Sequence, residues 1–449
     1  MADLGQRLSR RTVLKSGAAV AALGGVSAFI AACGGSTSTP APTAAPTAAP
    51  TAGPTAAPTP VAAVTFGSNY SDDVPKKAMQ AVVDAFTKKT GIPVTVNTVE
   101  HGKFQDSINA YLQGTPDDTY TWFAGYRMRF FAAQGLATDI SDVWSTIGAS
   151  YTDAFKTAST GDDGKQYFVP FYNYPWVVIY RKSVFAAKGY TVPATIADFT
   201  ALGDKMKKDG LIPLAFGDKD GWPAMGTFDI INMRMNGYDF HIGLMAGKEK
   251  WTDPKVKAVF QKWADLLPYF DPQPLGKTWQ DAAKDMIDSK AGMYFLGTFA
   301  GEQATDKTVH DDLDFFPFPS FGTAFDAEKA IDAPIDGFMV SAKAKNVDGA
   351  KAFAEFLASG EAQLVFLASS PNNVAAAKGV DTATYSPFQK KMAEIIGGAG
   401  KIAQFLDRDT NPAFAGANGM QGFLQTFLGN PTGDLDKFLS GIQAFYDTL

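Results

Sequence analysis

Aromatic side chains beside polar ones are the groups in this sequence whose types and spacing suit ligand binding. The densest set is Tyr172-Asn173-Tyr174-Pro175-Trp176, and another aromatic stands in the turn signal Gly221-Trp222-Pro223. Flat rings offer apolar faces, while nearby amides, carboxylates and guanidinium groups supply hydrogen bonds, a combination typical of binding pockets. The sequence therefore predicts a pocket that holds its ligand by noncovalent contacts.

An enzyme is the alternative of a different class. With 46 acidic residues, two carboxylates can lie close enough for glycosidase or lyase chemistry, so this alternative stays open. The sequence has no Gly-x-Ser-x-Gly elbow, no His-Glu-x-x-His and no phosphate loop. The three histidines, His101, His241 and His310, are scattered and are expected at the surface or in structural roles. We expect a binding protein without cofactor or metal.

The first 33 residues predict export and lipid attachment. Arg10 and Arg11 precede an apolar run over 17–32, which is too short for a confident membrane span and is typical of an export signal. The arginine pair resembles the twin-arginine motif, with Val13 where that motif prefers Phe. Ile30-Ala31-Ala32-Cys33 resembles a lipobox, so residues 1–32 are expected to be removed and Cys33, the only cysteine, to be diacylated with fatty acids such as palmitate.

Residues 33–60 predict an extended spacer after the lipid. The segment after Cys33 is uncharged, and proline recurs every fourth position from Pro42 to Pro58. Such a composition cannot bury a core. In polyproline form it reaches on the order of 80 Å at about 3 Å per residue, so we expect a tether, with a glycosylated stalk as the alternative.

The remaining chain, 61–449, is acidic and rich in core-forming residues. Of 40 basic and 46 acidic residues, four basic and one acidic lie in 1–60, which leaves a net charge of −9 for 61–449. An acidic body without a basic stripe argues against nucleic acid as a partner. The length favours two or more domains, and no segment of the body is long and apolar enough to cross a membrane.

Strand and helix patterns alternate along the first part of the body, which predicts an α/β fold. Apolar residues at helical spacing fill 75–90, and Gly91 ends that helix. Alternation predicts a strand over 93–99. The other predicted elements are strands over 64–66 and 120–123 and helices over 104–112 and 126–134. This order implies βαβ units, a mainly parallel sheet and a binding site beyond the strand ends.

The order of these elements resembles the extracellular solute-binding proteins of carbohydrate ABC importers, the class that includes maltose-type binding proteins. The resemblance covers about 64–449. Its carriers are Phe86-Thr87-Lys88-Lys89-Thr90-Gly91-Ile92-Pro93-Val94, Ala132-Ala133-Gln134-Gly135-Leu136, Val169-Pro170, Val178-Ile179-Tyr180-Arg181-Lys182-Ser183-Val184-Phe185, Ala291-Gly292-Met293 and Ala350-Lys351-Ala352-Phe353-Ala354-Glu355-Phe356-Leu357.

The resemblance implies a type II-like periplasmic-binding-protein fold, in which two α/β lobes enclose a ligand cleft and the chain crosses between them three times. By analogy the crossings fall near 172–175, 316–320 and 369–372. The first lobe is then expected to hold 61–172 and 320–370, and the second 173–319 and 371–449. The prolines of Phe316-Pro317-Phe318-Pro319 support a connector at the second crossing.

The resemblance also implies a sugar ligand, either a monosaccharide or an oligosaccharide, and points to aromatic contacts. Trp122 and Phe123 end a strand at the family's first-lobe aromatic position, although core packing explains them equally well. Arg127 and Arg129 follow on an expected solvated helix face. Tyr172, Tyr174 and Trp176 lie at the first crossing, where the family contributes a ligand side chain at about Tyr174, and at least one of the three is expected in the core. Further aromatic candidates are Trp222, Trp279 and Phe299, the last with Thr298 in a loop that corresponds to the family's sugar-stacking loop.

Polar candidates complete the predicted site. Asp229 and Asn232 are spaced by three on a helix and share a face. Asp336-Gly337 offers a carboxylate and backbone N–H groups, and Asn372 and Asn373 follow Pro371 near the third crossing. Arg408 and Asp409 fall in the segment that closes over the ligand in the family, with a structural ion pair as the alternative.

The expected function follows from the resemblance. Two lobes close over a sugar, and a lipid-anchored monomer on the outer face of the cytoplasmic membrane delivers it to the transmembrane permease of an ABC importer. A different solute remains the nearest alternative: an oligopeptide, a polyamine, or iron held by Tyr172 and Tyr174.

Overall fold

The structure is a computed structural model that describes residues 62–449. The predictions for Arg10, Arg11, Cys33 and most of the spacer lie outside the described residues. In the part of the chain that the structure describes, no helix has the length and apolar character needed to span a membrane.

Twelve strands occur in residues 62–449. They are β1 (Val64–Ser68), β2 (Val94–Thr98), β3 (Thr119–Phe123), β4 (Val169–Asn173), β5 (Trp176–Arg181), β6 (Ile212–Ala215), β7 (Ala291–Gly297), β8 (Leu313–Phe316), β9 (Ala330–Asp332), β10 (Ile335–Val340), β11 (Val374–Ala375) and β12 (Lys401–Ala403).

The α-helices of the same residues surround these strands. They are α1 (Asp73–Thr90), α2 (His101–Gln113), α3 (Tyr126–Ala133), α4 (Ser141–Ile147), α5 (Asp153–Ala158), α6 (Lys182–Lys188), α7 (Ile196–Lys208), α8 (Pro223–Asn236), α9 (Tyr238–Met245), α10 (Pro254–Leu266), α11 (Trp279–Ile287), α12 (Lys307–Asp312), α13 (Val347–Leu357), α14 (Gly360–Leu367), α15 (Pro387–Gly398), α16 (Leu406–Asp409), α17 (Pro412–Ala415), α18 (Met420–Gly429) and α19 (Leu435–Tyr446).

The first lobe is built on a six-stranded mixed sheet in the order β11-β4-β10-β3-β1-β2. β1 pairs in parallel with β2 and β3, as the alternating pattern predicts, and β10 runs antiparallel to β3 and β4. Helix α1 covers this sheet with an apolar face that includes Val82 and Phe86, and it ends at Gly91 in the left-handed conformation with φ 74°. The predicted helix over 75–90 therefore forms with the buried face that its spacing indicates.

The second lobe is built on a four-stranded sheet in the order β6-β7-β5-β8. β6 and β7 are parallel, while β5 is antiparallel to both β7 and β8. Helix α8 lies in the interior of this lobe, and every residue from Pro223 to Arg234 is buried. Trp251 and Trp263 pack nearby with no exposed surface, so this lobe has a large aromatic core.

The chain crosses between the lobes first at Tyr174-Pro175, between β4 and β5, inside the range expected from the sequence. The expected boundaries at 320 and 371 need correction. Phe318 still packs on Phe295 of β7 at 4.8 Å between ring centroids, and the chain joins the first-lobe sheet only at β10. β11 still pairs with β4, so the third crossing follows β11. The proline connector ends β8 without ending the lobe, because its phenylalanines are needed in the second-lobe core.

A short parallel pair, β9 with β12, lies beside the second crossing. It fixes the segment 403–409 at the junction of the lobes: the N–H of Ala333 donates to the carbonyl of Ala403, and the N–H of Ile335 donates to Oε1 of Gln404. This segment carries α16 and its charged side chains to the space between the sheets.

Candidate functional site

A cavity between the lobes opens beside the crossing strands. It encloses about 840 Å³ of space including its mouth. The side chains around it come from the starts of α1 and α2, from the two crossing strands, from the loops before α8 and α11, from the turn after β7 and from the segment 403–409. Both lobes therefore contribute to one site, as in pockets where a few polar groups converge on apolar walls.

Aromatic rings form one wall of this cavity. Phe299 is the centre of the group: its ring lies 5.0 Å from Tyr174, 5.2 Å from Trp279 and 6.1 Å from Trp222, measured between centroids. Trp176 stands edge-on to Trp222 at 6.2 Å. Edge-to-face pairs of this kind are stable packing arrangements, and the half-buried rings of Trp222 and Phe299 leave apolar surface for a ligand.

A charged network faces the aromatic wall. Nη1 of Arg408 donates to Oδ1 of Asp336 at 2.6 Å, and Nη2 donates to the hydroxyl of Tyr174 at 3.2 Å. Burial lowers the pKa of Arg408, but Asp336, Tyr174 and Asp407 outweigh it, and the net shift is upward. Burial raises the pKa of Asp336, and Arg408 opposes that rise. The guanidinium is thus a fixed cation with directed donors.

A second arginine extends this network from the first lobe. Nη1 of Arg127 donates to Oδ2 of Asp407 at 2.9 Å and to Oε1 of Gln105 at 2.7 Å. Gln105 also bonds His101, whose pKa falls to about 4 because of burial and the nearby Arg408. Arg127 is only 8% exposed, which corrects the expected solvated position: α3 turns this side chain toward α16. Arg129 is half-buried near Asp162.

The hinge side of the cavity holds a buried carboxyl group. Oε1 of Glu302 accepts hydrogen bonds from Oγ of Ser370 and from Nδ2 of Asn373, the latter at 3.2 Å. Glu302 belongs to the turn after β7 in the second lobe, whereas Ser370 and Asn373 precede β11 of the first lobe. Burial and, to a smaller extent, the charge of Asp72 raise the pKa of Glu302 to about 7, against the hydrogen bonds from Ser370 and Asn373.

Local backbone geometry explains how two of these groups reach the cavity. The register of β10 against β4 shifts between Asp336 and Gly337, a bulge that re-aims side chains. A Cβ on Gly337 would lie 1.9 Å from the carbonyl oxygen of Val169, so glycine is required for the close strand approach. Phe405 has φ 96° and stacks on Trp176 at 4.9 Å, so the turn before Arg408 is strained.

Eight of the residues predicted as ligand contacts line the cavity together. They are Tyr172, Tyr174, Trp176, Trp222, Trp279, Phe299, Asp336 and Arg408. Tyr172 also serves the first-lobe core, since its ring stacks on Phe366 at 5.3 Å. Arg408 pairs with Asp336 and not with its neighbour Asp409, so the ion pair crosses between segments far apart in the sequence.

The other predicted residues do not line this cavity. Trp122 is in the first-lobe core, and Phe123 lies beneath Arg408, whose guanidinium carbon is 4.0 Å from its ring centroid. Thr298 donates to the carbonyl of Asn372 at 2.8 Å and so ties the hinge. Gly337 packs closely against the backbone of Val169 in the neighbouring strand. The side-chain amide of Asn372 contacts His310.

Asp229 and Asn232 are buried away from the cavity, and Asp409 is half-buried outside it. Asp229 and Asn232 do share a face of α8, but that face contacts His241, with Asn232 3.1 Å from its Nδ1. Oδ2 of Asp229 accepts from the N–H of Leu406 at 2.7 Å, and Oδ2 of Asp409 accepts from the N–H of Gln404 at 2.9 Å. These groups support the segment 403–409 from behind.

Sequence reasoning missed the cavity residues that come from the first lobe's helix starts and from the hinge. The missed residues are Asn69, Tyr70, Ser71, Asp72, Pro75, His101, Gln105, Glu302, Pro334, Phe405 and Asp407, whereas Asn373, a candidate beside Asn372 in the sequence, does line the cavity. Glu302 had a usable signal, because it follows Phe299 by three residues and so falls on the same side of a helical turn. Within residues 62–449, no group of three or more His, Cys, Asp or Glu side chains is arranged to hold a metal ion.

This architecture is similar to that of known solute-binding proteins. Residues 70–364 match the family model of the bacterial extracellular solute-binding proteins. The crystal structure of the bacterial solute receptor AcbH, described as having an exclusive substrate preference for β-D-galactopyranose, shares 47% sequence identity and a TM-score of 0.84, and the match covers 86% of this chain and 99% of that chain.

Two curated relatives agree with this placement. An ABC transporter extracellular-binding protein of Pyrococcus horikoshii is 27% identical over 327 residues, 70% of this chain and 72% of the relative. The alpha-glucosides-binding periplasmic protein AglE of Rhizobium meliloti is 25% identical over 402 residues, 82% of this chain and 84% of the relative. With two lobes joined by crossing strands around one cavity, this chain belongs to the bacterial extracellular solute-binding protein family.

Proposed function

We propose that this protein captures a sugar of one pyranose ring, of the galactose type, and delivers it to the permease of an ABC importer. The observation that carries the proposal is the pairing of an aromatic wall, centred on Phe299, with the Arg408–Asp336 network across one cavity. A pyranose needs both, because its C–H face is apolar and its hydroxyl groups must be hydrogen-bonded when buried.

Two observations bear on the size of the ligand: the aromatic wall of the cavity and the similarity to AcbH. The rings of Trp222, Trp279 and Phe299, all from the second lobe, stand within 6.3 Å of one another, so they form one compact apolar surface for a ligand. AcbH, at 47% identity over nearly its full length, is described as preferring β-D-galactopyranose. Galactose is therefore the first ligand to test, and glucosides and longer sugars follow.

Closure of the lobes is the proposed mechanism of capture. Arg408 and Phe299 reach the cavity from elements of the second lobe and the junction, while Asp336 and Tyr70 reach it from the first lobe. A ligand that contacts both sets stabilises the closed state, because all contacts exist only there. Hinge closure around a ligand is an established mode of conformational change in binding proteins.

Calorimetric titration with a panel of solutes tests the ligand. We expect D-galactose to bind. Phe299→Ala should weaken this binding about tenfold or more, which corresponds to a loss of about 1.4 kcal/mol or more in binding free energy. Thermal stability should fall little, because the ring is half-buried. A matched control is Phe321→Ala, a half-buried ring that does not line the cavity. Binding of an oligopeptide, a polyamine or iron in place of any sugar would reject the proposal.

We further propose that the protein binds its sugar without converting it. Mass balance of the sugar after prolonged incubation with the purified protein tests this. We expect the sugar to be recovered unchanged, whereas a rearranged or shortened product in excess over the protein would identify an enzyme.

The proposed location is the outer face of the cytoplasmic membrane, where a diacylated Cys33 anchors a monomer. Two acyl chains anchor far more firmly than one. Cys33→Ala should shift the protein from the membrane fraction to a soluble or uncleaved form, and Arg10→Lys with Arg11→Lys should block export by the twin-arginine route. Unchanged membrane attachment or unchanged export would reject the respective part.

A further inference from the structure

The cavity holds two kinds of carboxyl group, those with a cation and those without one. Asp336 is paired with Arg408 at 2.6 Å and Asp407 with Arg127 at 2.9 Å. Glu302 also lines the cavity, yet no Lys or Arg side chain within residues 62–449 lies within 4.0 Å of its oxygens. The same holds for Asp72, the fourth acidic residue of the lining. Two carboxyl groups therefore face the ligand space without an arginine or lysine partner.

These two groups lie near each other on facing lobes. Asp72 stands at the start of α1 in the first lobe, and its charge raises the pKa of Glu302 in the second lobe. Tyr70 is the other titratable group that faces Glu302 from the first lobe. Burial raises the pKa of Asp72, and a hydrogen bond from Gln280 opposes that rise.

The amide of Asn373 provides an independent indication that a ligand donor belongs here. Asn373 is 2% exposed, its Nδ2 is used by Glu302 and Ser370, and its Oδ1 has no hydrogen-bond partner within the described residues. Both hydrogen bonds to Glu302 go to its Oε1. The other carboxyl oxygen, Oε2, accepts no hydrogen bond from residues 62–449. Buried polar atoms are normally paired, and the unpaired buried atoms beside Glu302 are Oδ1 of Asn373, which can only accept, and the hydroxyl of Tyr70, which can accept or donate.

Acidic side chains also surround the mouth of the cavity on both lobes. Burial raises the pKa of Asp220, and so do the negative charges of Glu100, Asp281 and Asp106, while Lys219 opposes them. Each of these four acids lies within two residues of a side chain that lines the cavity. Charge of one sign around a cleft repels ions of the same sign and attracts the opposite ones.

We propose that this cavity selects sugars by charge: it admits neutral and amino sugars, excludes sugar acids and sugar phosphates, and binds the ammonium group of an amino sugar at Glu302, Asp72 and Asn373. The proposal rests on the proposed function, that the ligand is a sugar. An ammonium group carries three donors and no acceptor, which matches a set of acceptors. At the end of the cavity that holds Glu302 and Asp72, an anionic ligand would instead place a buried charge against like charges, and the arginines of the cavity are already paired with Asp336 and Asp407.

A neutral sugar fits the same site through the protonation of Glu302. With its pKa near 7, this carboxyl group can donate to a hydroxyl when protonated and accept from an ammonium when ionised. Binding of an amino sugar should therefore strengthen as pH rises toward neutrality, whereas galactose binding should change less over that range. The ionised form is stabilised by the bound ammonium, which lowers the pKa of Glu302.

Calorimetry of the intact protein at neutral pH tests the selection. The probes are galactose, galacturonate and a set of amino-deoxygalactoses that carry the amine at different ring positions. We expect galacturonate to bind at least tenfold more weakly than galactose, and at least one amino-deoxygalactose to bind as tightly as galactose or more tightly. Glu302→Gln and Asp72→Asn should each reduce the ratio of amino-sugar to galactose affinity at least fivefold.

In Glu302→Gln the side-chain carbonyl can still accept from Ser370 and Asn373, and thermal unfolding checks that the variant is folded. If that variant is unstable, Asp72→Asn provides the test, because it changes a half-buried residue. Asp84→Asn removes one charge from the exposed face of α1 and should leave the ratio unchanged. Galactose binding with equal affinity for galacturonate, or an unchanged ratio in both variants, would overturn the charge selection alone. Failure of every sugar to bind would overturn the proposed function and this inference with it.

Discussion

Two groups of buried carboxyl groups adjoin the segment 403–409, and they differ in their partners. Toward the cavity, Asp336 and Asp407 each contact an arginine at 2.6 and 2.9 Å. Behind the segment, the buried Asp229 and Asp332 and the half-buried Asp409 have no arginine or lysine within 4.0 Å among residues 62–449. Neither oxygen of Asp332 has a hydrogen-bond partner there, and Nε2 of His241 lies 3.7 Å from Asp229.

The difference shows two ways in which a protein accommodates a buried carboxyl group: the group becomes neutral, or it pairs with a cation. In the rear group, burial raises the pKa of Asp229 and Asp332 well above the usual range and that of Asp409 to about 7, while it lowers the pKa of His241 to about 3. These groups are therefore held largely neutral near and below neutrality. In the cavity group the arginines keep charge in place, which gives directed donors and acceptors for a ligand.

Removal of Asp336 should break the cavity group most severely. Asp336→Ala leaves Arg408 buried with a charge that it cannot lose, and breaking a buried pair in this way costs about 3–5 kcal/mol. We expect a loss of that order in the free energy of unfolding measured with urea, together with at least tenfold weaker sugar binding. Unchanged stability would mean that Arg408 finds solvent or another partner.

Removal of Arg408 should cost less than removal of Asp336. In Arg408→Met the methionine fills most of the space, and Asp336 can take up a proton because burial raises its pKa. We expect the variant to be more stable than Asp336→Ala, with the difference growing as pH falls from 7 toward 5. If Arg408→Met were less stable than Asp336→Ala at every pH, the idea that Asp336 takes up a proton once Arg408 is removed would be wrong.

The rear group should make the protein more stable at mildly acidic pH than at neutral pH. The folded pKa of Asp409 is about 7 and the usual value is 3.8, so the folded state holds protons that the unfolded state loses as pH rises between these values. The free energy of unfolding should fall by on the order of 1 kcal/mol per pH unit for each such group. Asp332→Asn should flatten this slope, measured with urea between pH 5 and 7, whereas the exposed Asp84→Asn should not.

The smallest effect is expected from Asp229→Asn. In the wild-type protein the N–H of Leu406 donates to Oδ2 of Asp229 at 2.7 Å, and the amide oxygen of asparagine can accept the same hydrogen bond. The substitution also replaces a neutral carboxyl group by a neutral amide. We expect sugar affinity to change by less than about threefold, close to 0.6 kcal/mol. A larger loss would show that Asp229 acts as an ion that holds the segment 403–409.

The aromatic wall and the fold were predictable because their signals are local. Gly221-Trp222-Pro223 places a large ring in a turn, and the spacing of Val82 and Phe86 indicates the buried face of α1. Asp336 was predicted from the Asp-Gly pair that precedes a strand. In each of these cases a neighbouring glycine, proline or strand limits the possible positions of the side chain. Arg408 has no such local signal and was predicted only from the resemblance to the family.

The remaining residues could not be placed from the sequence, since their position depends on distant packing. Asp229 and Asn232 share a face of α8, but the helix is buried from Pro223 to Arg234, so periodicity cannot separate a cavity face from a core face. The boundary at 320 came too early because prolines end a strand without showing which lobe the following phenylalanines join. His101 and Gln105 line the cavity from α2, and Gln105 accepts a hydrogen bond from Arg127 of α3, a contact that no local pattern indicates.

The segment 403–409 joins parts of the chain that are far apart, and this has a consequence for the order of folding. Arg127 and Asp407 are 280 residues apart, and Tyr174 and Arg408 are 234 apart. Contacts of such separation form late, because long loops must close first. A sugar that needs Arg408 cannot bind a partly folded chain, so it stabilises only the finished protein. Ligand should therefore slow unfolding while leaving the rate of folding unchanged.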